Sequence, residues 1–381
     1  MALKSSRRGR TAPFHALAMM RQAREVAATG ADVIHMEIGQ PGSAAPRAVL
    51  AAARAALDSD RLGYTEALGL PALRHDLAAH YKAMYGVAAA MERMVVTTGS
   101  SAGFVLAFLA AFDAGDRVAL AAPGYPGYRN ILHALDLQAV EIATGPDSGF
   151  QPTIAHLAAL DPLPDGLIVA SPANPTGAML SPEDFSALAR WCHDHGVRLI
   201  SDEIYHGITF GRAAATAVAH SPSAITVNSF SKYYAMTGWR LGWLVAPDDL
   251  VAAIEALAQN LFLAPPTLPQ LAARAALHSH EELDGHVQRY RANRDLLLHH
   301  LPMAGFDSFA PADGAFYLYA DVSARTDDSM GFCQRMLREA AVATAPGIDF
   351  DTRRGHHYLR FSFAGSTADM EEGVRRLKAW H

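Results

Sequence analysis

Ser229-Phe230-Ser231-Lys232-Tyr233-Tyr234-Ala235-Met236-Thr237-Gly238-Trp239-Arg240 sets one lysine among small hydroxyls at the end of an apolar strand, with an arginine closing the segment. A lysine amine becomes a nucleophile toward carbonyl groups only when burial or a neighbouring cation lowers its pKa. Here Phe230, Tyr233, Tyr234 and Trp239 supply apolar company and Arg240 supplies the charge. Most lysines are solvated surface residues. The flanking hydroxyls and Arg240 single out Lys232 as a Schiff-base lysine next to a place for an anion.

Outward from this segment, apolar β-branched runs bounded by turn residues alternate with helical stretches. They are Met94 to Thr98, Arg117 to Ala121, Gln138 to Ile142, Gly166 to Ala170, Val197 to Ser201, Ala224 to Asn228 and Leu241 to Val245. The alternation predicts an α/β fold, with a large domain built on a mostly parallel seven-stranded sheet covered by helices on both faces. Phe104, Phe108, Leu109 and Phe112, and likewise Phe185, Leu188, Ala189 and Trp191, have helical spacing and read as core. Ser181-Pro182-Glu183-Asp184 is a helix start with Ser181 as its cap.

In an open parallel sheet, ligands gather beyond the carboxyl ends of strands. Gly99-Ser100-Ser101 lies where a strand gives way to a helix, whose free amides suit an anion. Alone it reads sooner as a serine cap; with Ser229, Ser231 and Arg240 it reads as a phosphate site. Asp202 ends an apolar run, and a buried carboxylate there calls for a cationic partner. Asn174-Pro175 alone is a plausible turn, and Arg360, inside the alternating run Tyr358 to Phe363, alone could face solvent.

Both chain ends are expected to form a smaller α+β domain: a helix and short strand between about Pro13 and Ile38, and a long helix from Glu281 to Leu301. Strands at Ala315 to Tyr319 and Tyr358 to Phe363 follow, with a helix from Ser329 to Ala341 between them. This divides the chain into an N-terminal segment 1–45 that joins the small domain, a large domain 46–280 and a C-terminal small domain 281–381. The chain has 381 residues, half of them hydrophobic, enough for a large core. A net charge of -6 offers no basic face for nucleic acid. No apolar run is long enough to span a bilayer, and the basic tip Lys4 to Arg10 lacks a signal-peptide core and reads as loosely attached. Cys192 and Cys333 are too few for a disulfide framework, which fits a cytoplasmic protein. The 18 histidines include adjacent pairs but no HExxH, so no metal is expected.

The segment around Lys232 resembles the cofactor-lysine signature of the class I and II aminotransferases, fold-type I enzymes that use pyridoxal 5'-phosphate (PLP). The resemblance continues in the family's order through Ile38-Gly39-Gln40-Pro41, Tyr64-Thr65, Gly99-Ser100-Ser101 and Pro123-Gly124-Tyr125-Pro126. Beyond these come Ser171-Pro172-Ala173-Asn174-Pro175-Thr176-Gly177, Ser201-Asp202-Glu203-Ile204-Tyr205 and Tyr358-Leu359-Arg360-Phe361-Ser362. It implies that Lys232 forms a Schiff base with PLP, and that Asp202 faces the ring nitrogen. Tyr205 and Asn174 would bond the phenolic oxygen, and Tyr125 would stack on the ring. The phosphate would be held by Gly99, Ser100, Ser101, Ser229, Ser231 and Arg240, with Tyr64 reaching it from the partner subunit of a homodimer. Arg360 would clamp the substrate's α-carboxylate through two hydrogen bonds, Gly39 would add a backbone contact, and the bonds before Pro123 and Pro175 would be cis.

The reaction so implied is ping-pong transfer of an amino group from an L-amino acid to a 2-oxo acid. A β-lyase or related fold-type I enzyme would share these residues. A PLP-sensing regulator fused to a DNA-binding domain is disfavoured, because the aminotransferase-like region begins almost at the first residue. Gly39-Gln40-Pro41-Gly42 lacks the two acids many relatives carry there. Some relatives that prefer dicarboxylic substrates place a lysine near the position of Ser101, so its absence weakens an aspartate preference. Because the N-terminal segment often borders the substrate in this family, Phe14 and His15 are compatible with a neutral or aromatic substrate side chain.

Overall fold

Every one of the expected apolar runs becomes a strand of a single seven-stranded sheet in the computed structural model, which describes residues 3–59 and 61–380. Across the sheet the order is Met94–Thr97, Gly242–Val245, Ile225–Ser229, Arg198–Asp202, Gly166–Ala170, Arg117–Ala122 and Gln138–Ala143. Gly242–Val245 runs antiparallel to both neighbours and the other pairings are parallel. Strands buried on both faces must feed two cores, and the period of two divides them. Val118, Leu120, Ile168 and Ile200 pack with Phe104 and Phe108 on one side. Ala119, Leu167, Val169 and Leu199 pack with Phe185 and Leu188 on the other. Each such valine, leucine, isoleucine or phenylalanine side chain stabilises the fold by roughly 1.5–3 kcal/mol on burial. Gln138–Ala143, at the sheet edge, is mostly exposed or half-buried.

The helix Gly99–Ala111 is apolar nearly all round because it is enclosed by the sheet and the helices Pro126–Ala134 and Val251–Leu261. Pro182–Asp194 begins as expected, with Ser181 Oγ accepting from the Asp184 amide at 3.0 Å. Parallel strands and the helices after them leave the carboxyl edge of the sheet lined by strand-to-loop transitions. Ala122-Pro123 and Asn174-Pro175 are cis, as are Asp161-Pro162 and Ser171-Pro172.

The chain ends meet beyond that edge. Ile34–His35, following the helix His15–Ala27, pairs in parallel with Val342–Ala343. An antiparallel sheet orders Ala345–Pro346, Tyr358–Ser362, Tyr317–Asp321 and Ser308–Phe309, with Arg360 opposite Tyr319 and Ala345. The long helix runs His280–His300 and the later one Ser329–Ala340. The strand expected from Ala315 starts instead at Tyr317, since Ala315 adopts φ +57° and its amide bonds the Ile208 carbonyl. Residues 3–10 are all exposed, and Arg7 reaches Asp136 at 3.4 Å. Among the described residues no helix is long and apolar enough to cross a membrane, and no acid, histidine and cysteine cluster could hold a metal. Cys192 and Cys333 are buried free thiols.

Candidate active site

Lys232 follows the strand Ile225–Ser229, and its Nζ donates to the Gly39 carbonyl at 2.6 Å across the gap between sheet and N-terminal segment. Desolvation, with Arg360 and then Arg240 adding to it, lowers the amine to about 8, against which Asp202 acts weakly. Gly39 is obligatory there: a Cβ would collide with the hydroxyl of Tyr317.

On one side of Lys232 lies the start of the helix Gly99–Ala111. Gly99 has φ +72°, and the Arg240 guanidinium lies so close that a Cβ at Gly99 would strike it. Arg240 Nη1 donates to the Thr237 carbonyl at 3.0 Å, and no carboxylate pairs with Arg240 among the described residues. Ser231, whose Oγ accepts from Ser229 Oγ at 2.8 Å, is buried. Ser229 is held internally, its one hydroxyl proton shared between Ser231 Oγ and the Leu241 carbonyl, 3.0 Å away, while its Oγ accepts from the Ser231 amide at 3.0 Å. Ser100 and Ser101 occupy the helix's first turn, half-buried and exposed. Free amides and an unpaired guanidinium together suit a dianion.

Behind the lysine, Asp202 ends the strand Arg198–Asp202 and is 5% exposed. The expected cationic partner is not an ion pair. Tyr128 Oη donates to Asp202 Oδ2, the Ile204 amide donates to Oδ1 at 3.1 Å, and Lys232 acts from farther away. These bonds compensate the carboxylate in part, but desolvation still lifts it to about 6. Tyr125, before the helix Pro126–Ala134, has its ring centre 5.2 Å from that of Tyr128. Tyr205 bonds Tyr317, hydroxyl to hydroxyl, at 2.7 Å.

Arg360 points inward from the strand Tyr358–Ser362 and is 3% exposed. Its Nη1 donates to Asn174 Oδ1 at 2.9 Å, and its Nη2 to the Glu37 carbonyl at 2.6 Å. The guanidinium carbon is 4.4 Å from the Tyr317 ring centre and 4.8 Å from that of Phe350. Nε is buried without a partner, and no carboxylate pairs with this guanidinium among the described residues. A buried cation lacking its anion is electrostatically incomplete.

The cleft therefore gathers Gly39, Ser100, Asn174, Asp202, Tyr205, Ser231, Lys232, Arg240 and Arg360, with Tyr125 at its wall. Tyr64 is not among them: it is 87% exposed on its own chain. Sequence reasoning missed Tyr128, Tyr317 and His206. Tyr128 lies one helical turn beyond Tyr125, and Tyr317 shares a face of its strand with Tyr319, opposite Arg360, so both periods carried a signal. His206 ties a loop to the end of the helix Pro71–Tyr85, its Nε2 meeting the Ser171 carbonyl at 3.1 Å and its Nδ1 meeting Tyr85 Oη at 2.8 Å. Nearby, burial pushes the Glu203 carboxyl up to about 8.

The family model described as aminotransferase class I and II matches residues 31–377. A valine–pyruvate aminotransferase of Mycobacterium tuberculosis is 51% identical over 97% of this chain and 96% of its own. The crystal structure of an aminotransferase from Mycobacterium tuberculosis superposes with a TM-score of 0.98 at 50% identity, covering 100% of this chain and 99% of that one. An aspartate aminotransferase from Thermus thermophilus with maleate gives 0.93 at 31% identity, covering 99% and 100%. With a match of this extent and the same order of motifs around Lys232, the chain belongs to the aminotransferases of class I and II.

Proposed function

We propose that this aminotransferase uses PLP to move the amino group of a neutral, aliphatic L-amino acid to a 2-oxo acid, working as a cytoplasmic homodimer. One observation carries the reading: two guanidinium groups without carboxylates, Arg240 and Arg360, flank a single amine of lowered pKa. A phosphate at one end and an α-carboxylate at the other would complete both charges, which is the test of fit for this group. The Gly99 and Ser100 amides, Ser231 and Arg240 would hold the phosphate, with Ser229 fixing Ser231 and Ser101 at the rim. The partner subunit's Tyr64 would complete that end, in keeping with the exposure of Tyr64 here.

Asp202 would hold a proton on the ring nitrogen, Tyr125 would cover the ring face, and Tyr205 and Asn174 would bond its phenolic oxygen. Bound PLP supplies an electron sink that makes the substrate's α-proton acidic. Arg360, steered by Asn174 and the Glu37 carbonyl, holds the substrate carboxylate in a planar fork. Lys232 Nζ would accept the substrate's α-proton and hold it for return. Gly39 keeps the space open for both. Buried free thiols fit a reducing compartment. The division at residues 45 and 280 supports a small part carrying Arg360 against a large part carrying Lys232.

A neutral substrate follows from charge. Beyond Lys232, Arg240 and Arg360, no lysine or arginine among the described residues has been placed in the cleft, and Phe14 stands 5.8 Å from Tyr125, ring centre to ring centre. The relative at 51% identity is named for valine and pyruvate, which fits. The test is a spectral screen: the visible band of bound PLP should fade with valine alone, releasing one 2-oxo acid per site, and return with pyruvate. Continuous ammonia release with an unfading band would instead indicate a β-lyase.

A further inference from the structure

The first helix, His15–Ala27, lacks a cap of its own. Serine, threonine, aspartate and asparagine are favoured at the residue before a helix because their side chains bond its free amides. Here that residue is Phe14, which cannot. The cap comes from the far end of the chain: Asp349 Oδ1 accepts from the His15 amide at 3.0 Å and Oδ2 from the Ala16 amide at 2.8 Å. Asp349 is 1% exposed, so two amides and the helix's positive end satisfy a buried carboxylate.

The capping loop is tied to the site. Gly347–Asp349 follows Ala345–Pro346, whose Ala345 pairs with Arg360. The next residue, Phe350, lies under the Arg360 guanidinium at 4.8 Å and accepts at its carbonyl from the Gly124 amide at 2.9 Å, beside Tyr125. With the cap supplied remotely, the position before the helix is free to carry an aromatic ring. Phe14 packs on the cluster containing Phe150, Tyr319 and Phe350 and tilts against Tyr125.

We infer that Asp349 is a positioning residue for substrate selection: by capping the first helix from the loop beside Arg360, it fixes Phe14 against Tyr125 as the apolar wall that meets the substrate's side chain. This rests on the reading that Arg360 takes the substrate carboxylate. A firm apolar wall favours a branched side chain over a methyl group by the contacts it adds, on the order of tenfold or more in kcat/KM.

The holoenzyme and its Asp349→Ala, Asp349→Asn and Phe14→Ala variants are compared by the ratio of kcat/KM for valine to that for alanine, and by amide hydrogen exchange at residues 15 and 16. The expected result is a ratio lowered about tenfold in each variant, with faster exchange in both Asp349 variants and an unchanged visible band of bound PLP. Adding Phe14→Ser to Asp349→Ala supplies a local cap; it should restore Tm and leave the ratio low. A ratio restored with Tm, or one within about twofold of the parent in Asp349→Asn, overturns the inference. Unchanged amide exchange in Asp349→Asn overturns the clamp whatever the activity. A parent enzyme with no turnover on any amino acid removes the Arg360 reading and the selection with it, while exchange still reports on the clamp.

Discussion

Arg360→Ala removes the guanidinium that, among the described residues of the cleft, is left for an α-carboxylate once Arg240 is assigned to phosphate. The guanidinium is 3% exposed, its two bonds go to neutral oxygens, and its Nε is unpartnered, so its full charge is open to a substrate. Stripping one partner from a desolvated, hydrogen-bonded charge pair costs roughly 2–5 kcal/mol. That is about thirtyfold to several thousandfold in kcat/KM. The substitution also frees the Asn174 and Glu37 oxygens, so Tm is followed alongside. Steady-state kinetics with varied amino acid should show the loss while the cofactor band persists, and Arg360→Lys should restore only part of it because an ammonium lacks the fork. A kcat/KM within about threefold of the parent, far outside the range for a lost charge pair, would refute the assignment.

Further substitutions test other parts of the cleft. Lys232→Ala should abolish the visible band and leave at most slow turnover recoverable with added alkylamines; full activity would exclude the proton role of its Nζ. Tyr64→Phe removes one hydroxyl offered to a phosphate across subunits and should weaken PLP binding about ten- to a hundredfold, measured by equilibrium dialysis; unchanged affinity contradicts the shared site. Glu203 tests burial: its carboxyl is raised from 4.5 to about 8, so the native chain keeps a proton the unfolded chain has lost between those values. Stability from this group is therefore full at low pH and falls as pH rises through that window. Glu203→Gln keeps the shape without the charge and should gain on the parent by roughly a few kcal/mol between pH 5 and 9, and a pH-independent difference in denaturant titrations would contradict it.

Much of this was legible because it is periodic or local. Val118 and Leu120 alternate with Ala119, Ile168 alternates with Leu167 and Val169, and strands with that pattern and helices between them have few arrangements. Lys232, Asp202, Asn174 and Gly99 were legible because each sits at or just past the end of a strand, where this architecture collects ligands. What could not be read joins chain-distant groups. Tyr128 meeting Asp202, Tyr317 meeting Tyr205, and Asp349 capping the helix after Phe14 depend on packing that no local pattern encodes. The surroundings of Asp202 were legible only in outline: sequence shows that a buried carboxylate needs compensation, and only the fold shows the bonds from Tyr128 and the Ile204 amide that supply part of it.

The central claim is that one amine, that of Lys232, carries the cofactor in the resting enzyme. Borohydride reduction of the PLP-loaded protein followed by peptide mass spectrometry reads it directly. The account predicts a single cofactor-sized mass increase on the peptide containing Lys232, absent when valine is added before the borohydride. Label on a different lysine, or none on a protein that still transfers amino groups, would contradict it.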